Sequence, residues 1–398
     1  MLAHSPHLPL IIDYLDEDRA LTAEDEQGIV LALQHRNRIS RIRLVKPALV
    51  LQRLILGLDG EYPNLEYLYI MPQRYQRPTI KHNRNLGFPE TFWAPHLRYL
   101  VLMNFAIPMR SPLLMAMGSL VDLSLSLIPS SAYFHPNALL QQLLLMPQLE
   151  GLGITFNSHF PSGDIGRQLL RTPITTHVTL PSLRGFGFQG ASAYLEAFLP
   201  RVVFPVLEQL QVYFFNQLTY SIPHLGQFMR TMGNLRVNTA TLTFGEESLD
   251  VMVFPRKGAR LFSLNMVLGG RHLDWQVASI AQVFHALGTV FSAVEHLTLQ
   301  YDYDRYLMSS EWNNEADRTQ WCELLGSLGN VKTLVVVDFL VGQLSRSLQP
   351  GEGELNGDLL PELQELLYLD ASHNAFSEFI DVRRKAGRPV NAINSHKE

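Results

Sequence analysis

The segment Gly185-Phe186-Gly187-Phe188-Gln189-Gly190 has the residue types and spacing of a phosphate-cradling loop. It matches G-x-G-x-x-G, follows a strand pattern and precedes a helical stretch, Ala191–Leu199. Glu208 lies about twenty residues on, where an acid would reach a ribose. Such a site needs its glycines in a turn, so that the pyrophosphate meets a helix N-terminus. Here Phe186 and Phe188 take the apolar positions of the strand itself. That places Gly185 and Gly187 inside the strand, and Glu208 at the start of the next one. A nucleotide-dependent enzyme is therefore the minor alternative, and no cofactor is expected.

Other chemistry-bearing residues are scattered. Cys322 lies in the apolar helical run Trp321-Cys322-Glu323-Leu324-Leu325, which suits a buried structural thiol without a paired base. His82, His96, His272 and His296 have no metal-ligand spacing. The acids at 16–18 and 24–26 offer a conceivable carboxylate pair. Thr22 followed by Asp25 reads better as a helix cap. Tyr301-Asp302-Tyr303-Asp304 is an aromatic and acidic loop of the kind found at protein interfaces, or simply a solvated one. No catalytic or metal-ligating residue is assigned.

The bulk composition says what must position these residues. Leucine supplies 67 of 398 residues, while charged residues are only 17%, below the roughly 25% of an average chain. The net charge of −5 gives no basic excess for nucleic acid. One cysteine excludes an internal disulfide framework and a four-cysteine zinc module. No Asn-x-Ser/Thr sequon occurs, and the N-terminus lacks a basic signal-peptide region. The longest apolar candidate, Leu334–Val341, is short and holds Asp338, so no membrane span is expected. An intracellular setting, cytoplasmic or nuclear, is expected.

One phrase recurs: apolar, two variable, apolar, one variable, apolar. It reads Ile39-Ile42-Leu44, Leu65-Leu68-Ile70, Leu97-Leu100-Leu102, Leu120-Leu123-Leu125, Leu149-Leu152-Ile154, Leu183-Phe186-Phe188 and Leu207-Leu210-Val212. Two weaker copies are Val237-Ala240-Leu242 and Leu261-Leu264-Met266. Val294-Leu297-Leu299, Val331-Leu334-Val336 and Leu363-Leu366-Tyr368 close the series. The starts are 23 to 37 residues apart, with a mean of about 29, at the top of the roughly 20–29-residue period of leucine-rich repeats. Six copies have Pro two residues ahead of the first apolar position: Pro63, Pro95, Pro147, Pro181, Pro205 and Pro361. Proline there ends the preceding helix and opens the strand. Helical patterns at Ala48–Leu58, Asn137–Met146, Ala191–Leu199, Leu225–Met232, Leu273–Leu287 and Arg318–Leu328 lie between the phrases. Each can bury its stripe only against neighbouring repeats.

The expected fold is an α/β leucine-rich-repeat-like solenoid, a horseshoe of about twelve units with irregular repeats. Its parallel sheet would line the concave face and its helices the convex face. Only Asn157 fills the asparagine slot that normally ties the repeat loops together, hence the irregularity. The solenoid spans residues 22–387, with an extended lead-in at 1–21 and a tail at 388–398. Side chains alternate along a strand, so the variable positions of each phrase face out. The candidate protein-binding residues are Arg41, Arg43, Tyr67, Tyr69 and Tyr99, with Tyr301 and Tyr303 in the aromatic loop; Arg and Tyr dominate interface hot spots. Long insertions follow strands at 71–94, 155–180 and 301–315, and the basic stretch Gln73–Arg84 suits an acidic partner.

Several stretches resemble one family: PITTHVTLPSLRGFGFQGASAYLEAFLPR (173–201), FFNQLTYSIPHLGQFMR (214–230), RHLDWQVASIAQVF (271–284), AVEHLTLQYDYD (293–304), EADRTQWCELLGSLGNVKTL (315–334) and the opening 11–44. The chain is similar over nearly its whole length to F-box/leucine-rich-repeat-like proteins of mushroom-forming basidiomycete fungi. The resemblance implies a substrate receptor of an SCF-type ubiquitin ligase. In that family an F-box docks a Skp-type adaptor, and the repeat body captures the target. His7-Leu8-Pro9-Leu10 with Ile11, Ile12 and Leu15 starts like an F-box, but the charged run Asp16-Glu17-Asp18-Arg19 breaks it. The F-box is expected to be absent, which puts the adaptor contact in doubt. A non-catalytic interaction module with a protein partner of unknown identity remains, and a stand-alone scaffold without a ligase link is its alternative.

Overall fold

The computed structural model describes residues 8–15, 22–73, 86–115, 117–157, 173–217, 219–231, 237–255, 263–270, 272–302, 316–337, 339–349, 359–369 and 375–394. The fold is mixed α/β, with large, mostly parallel sheet structure and helices between strands. Two compact units form: Met1–Gly190 with Arg201–Leu207, and Ala191–Pro200 with Glu208–Glu398.

The first unit holds β1 (Leu10–Tyr14), β2 (Ile39–Lys46), β3 (Tyr67–Pro72), β4 (Tyr99–Met103), β5 (Asp122–Ile128), β6 (Gly151–Phe156), β7 (Val178–Thr179), β8 (Gly185–Gly190) and β9 (Val202–Val203). Its strand order is β1-β2-β3-β4-β5-β6-β8, each neighbour parallel to the next. β7 and β9 make a separate two-stranded parallel pair. The second unit holds β10 (Gln209–Phe214), β11 (Val237–Phe244), β12 (Ser248–Pro255), β13 (Ser263–Gly269), β14 (His296–Tyr301), β15 (Thr333–Val337), β16 (Glu365–Leu369) and β17 (Asn391–Asn394). Its order is β10-β13-β12-β11-β14-β15-β16-β17. Only β12 runs antiparallel to its neighbours.

The recurring phrase is the strand seam. Its apolar residues are buried in each copy, except half-buried Leu207 and Leu261, which lies outside the described residues. Six helices form where the pattern expects them: Ala48–Leu56, Pro136–Leu143, Ser192–Phe198, Pro223–Thr231, Leu273–Ala286 and Arg318–Gly326. Thr22 caps the Ala23–Leu33 helix in a capping box with Asp25, as its sequence indicates.

The prolines act differently from expectation. In five copies the first apolar residue donates its N–H three residues back: Leu65 to Tyr62, Leu97 to Ala94, Leu149 to Met146, Leu183 to Leu180 and Leu363 to Leu360. Each proline is therefore the second residue of a β-turn, where its fixed φ is already correct. The turn, not the strand, is what proline opens. The turn before β16 is the most constrained. Leu360 is buried with φ at +50°, a conformation costly for a branched side chain. The fully buried Arg383 of the Ser377–Lys385 helix clasps it, donating to the carbonyls of Leu359, Leu360, Pro361 and Leu363 at 3.0–3.3 Å.

The largest departure from a plain repeat lies at β11–β13. Two phrases that read alike in sequence stack in reverse order, because β12 turns back between them. β1 and β17 also extend the pairing beyond the phrases, at residues read as lead-in and tail. The F-box-breaking run 16–19 lies outside the described residues.

Candidate functional site

Parallel, in-register pairing turns the outward positions of the first unit into rows across the strands. One row runs Ile11, Arg41, Tyr67, Tyr99, Asp122, Gly151, Gly185. The next runs Asp13, Arg43, Tyr69, Val101, Ser124, Gly153, Gly187. None of these side chains is buried, while the residues between them on each strand are. The alternation that makes the core also makes this face.

Five of the seven candidate residues meet here. The Arg41 guanidinium sits 5.0 Å from the centre of the Tyr67 ring. The Tyr67 and Tyr99 rings lie 5.6 Å apart. Arg98 flanks Tyr99 at 6.0 Å. Cation–π and ring–ring contacts of these lengths pre-order the array. Arg43 pairs with Asp13 at 3.1 Å. The Tyr69 hydroxyl reaches the Met71 sulfur at 3.9 Å. Tyr301 belongs to β14 in the second unit, half-buried with its ring 5.9 Å from Phe339, so it is not part of this array. Tyr303 and most of the basic stretch, from residue 74 on, lie outside the described residues.

Asp122 joins the row although its residue type gave no reason to single it out. The phrase turns it outward, and the pairing register sets it beside Tyr99. Its carboxylate leans over Gly151, into space that a Cβ there would occupy. Burial holds its pKa above the ordinary carboxylate value. Among the described residues, no hydrogen bond or ion pair compensates this carboxylate.

The glycine-rich segment is strand β8 throughout. Phe186, Phe188 and Gly190 are buried, and Gly185 and Gly187 face out. No phosphate-cradling turn forms between Gly185 and Gly190. Gly190 instead makes room for two rings. An added Cβ would stand 2.8 Å from Phe188 and 3.1 Å from Phe156. Gly190→Ala is expected to cost about 1–3 kcal/mol through overpacking, read as a lower urea midpoint.

The chain matches no known family model, and no curated protein is similar to it in sequence. The site must be read from its own chemistry. Cys322 is half-buried rather than enclosed. Among the described residues, no group of three or more His, Cys, Asp or Glu could hold a metal ion. No helix among them is long and apolar enough to cross a membrane.

Proposed function

We propose that the chain is a non-catalytic protein-interaction module that captures its partner on the outward strand face of the first unit. The contiguous Arg41–Tyr67–Tyr99 array carries this reading. Three large side chains of hot-spot type are ordered against one another on a face that the core does not need. Their contacts limit the entropy lost when a partner docks. The finer architecture is a leucine-rich-repeat-like horseshoe with the sheet concave and the helices convex. The recurring phrase and its in-register pairing within each unit support it. In an intracellular setting the module resembles the target-capturing body of an SCF-type ubiquitin ligase.

Two measurements test this. Arg41, Tyr67, Tyr69 and Tyr99 replaced together by Ala should reduce capture of a partner purified on the parent chain by at least about 100-fold, the effect of two or three lost hot spots. Unchanged capture by the folded variant would remove the surface assignment. Recovery of a Skp-type adaptor and a cullin with the full chain would support the ligase role. A stable partner without either would leave a stand-alone scaffold.

A further inference from the structure

The charges on this face are arranged in a way that selects a partner, on the reading that the face is where the partner docks. Arg43 is neutralised by Asp13. Arg41 and Asp122 have no ion pair among the described residues; Arg41 makes only its contact with Tyr67. They lie in one row, with Tyr67 and Tyr99 between them. Three strand spacings separate them, roughly 14 Å. The row thus reads cation, aromatic, aromatic, anion.

We infer that this row recognises an extended peptide segment carrying an acidic side chain for Arg41 and, about four residues away, a lysine or arginine for Asp122, with one apolar residue midway between them lying over Tyr67 and Tyr99. An extended chain advances about 3.3–3.4 Å per residue, so four residues cover the gap. The peptide crosses the strands, whose backbone groups are already paired, and is read through side chains alone. Polarity follows from the order of charges: an inverted segment meets like charge at both ends. Asp122 is the selective end. Its carboxylate has already given up part of its hydration to lie over Gly151. An incoming ammonium or guanidinium therefore meets a stronger field than at an open surface. A divalent ion is poorly served there, because one carboxylate supplies too few oxygens.

Synthetic peptides with the core Glu-Ala-Pro-Ala-Lys, labelled with a fluorophore, provide the probe, and anisotropy on the full chain the readout. Replacing Lys by norleucine should weaken binding about 5–10-fold. Asp122→Asn should abolish that difference, and Asp122→Lys should turn the preference toward a peptide with Glu in place of Lys. A core with Glu and Lys adjacent should bind no better than the norleucine peptide. The unfolding midpoint of Asp122→Asn should equal or exceed the parent's, since an uncompensated charge is removed. A lysine-to-norleucine ratio unchanged by Asp122→Asn overturns the inference. So does binding by none of the peptides up to about 1 mM, an affinity of only ~4 kcal/mol. If the four-residue Ala variant loses the captured partner while both Asp122 variants keep it, the interaction surface stands and the charge pattern fails. If none of the variants changes capture, both fail.

Discussion

Arg383→Ala should lower the stability of the second unit by about 3–5 kcal/mol, among the larger effects a single truncation can produce. The side chain is 1% exposed and inserts its guanidinium into the turn that launches β16. Its two terminal nitrogens satisfy four carbonyls of residues 359–363. No carboxylate among the described residues balances the cation, and burial pulls its pKa down. The carbonyl dipoles are the compensation. Truncation takes the guanidinium donors from all four carbonyls, leaves Leu360 with only the Leu363 N–H, and frees a turn in which Leu360 holds a positive φ. Arg383→Met keeps the stem's packing and should fall between Ala and the parent. Arg383→Lys should cost nearly as much as Ala, because one ammonium lacks the planar fork that reaches all four acceptors. Urea unfolding followed by far-ultraviolet circular dichroism reads these losses. A loss below about 1 kcal/mol for Ala would mean that water replaces the guanidinium.

Trp321→Ala should cost about 3–5 kcal/mol, while Trp321→Phe should cost under about 1.5. The indole is fully buried in the Arg318–Gly326 helix, with its ring 5.8 Å from Phe244 of β11. Its Nε1–H is buried without an acceptor among the described residues. Alanine empties the whole volume. Phenylalanine gives up part of it but also sheds an unsatisfied donor, whose burial costs about 1–3 kcal/mol. The contrast between the two variants is the test. A Trp321→Phe loss of about 3 kcal/mol or more would mean that the indole N–H is satisfied and that removing it brings no gain. Cys322, next along the helix, then has a plain role: it follows a core tryptophan on a flank that stays half-exposed.

Much of this architecture was legible. The phrase marked the seam because buried neighbours on a half-covered strand must alternate, and leucine meets that need at Leu68, Leu100, Leu123 and Leu152 alike. The helices were legible by the same logic at a different period. Pairing order was not. Val237-Ala240-Leu242 and Leu261-Leu264-Met266 carry the same pattern, and nothing in a periodicity says which lies beside β10. The alternation Leu249, Val251, Val253 after Gly245 is the local signal of the hairpin that decides it. The array followed the same division. Arg41, Tyr67 and Tyr99 were visible as residue types, and the phrase turned Asp122 outward with them, but nothing in its type marked it as a binding residue. The lateral contact with the Tyr99 strand is set by register, a long-range property.

The reversed stacking at β11–β13 bears on how the chain leaves the ribosome. In the first unit, β2 through β6 each pair with the strand made just before, so assembly can keep pace with synthesis. β10 cannot do this. Its partner β13 is complete only at Gly269, some 55 residues after β10 ends at Phe214. At translation speeds of about 5–20 residues per second, β10 waits several seconds with an unpaired edge. During that interval β11, which carries the same phrase, is the nearest available mate. A transient β10–β11 pairing would then have to be undone before β13 could dock. The second unit is therefore where a cell's folding helpers would be most needed, and where slowed elongation would do the most harm.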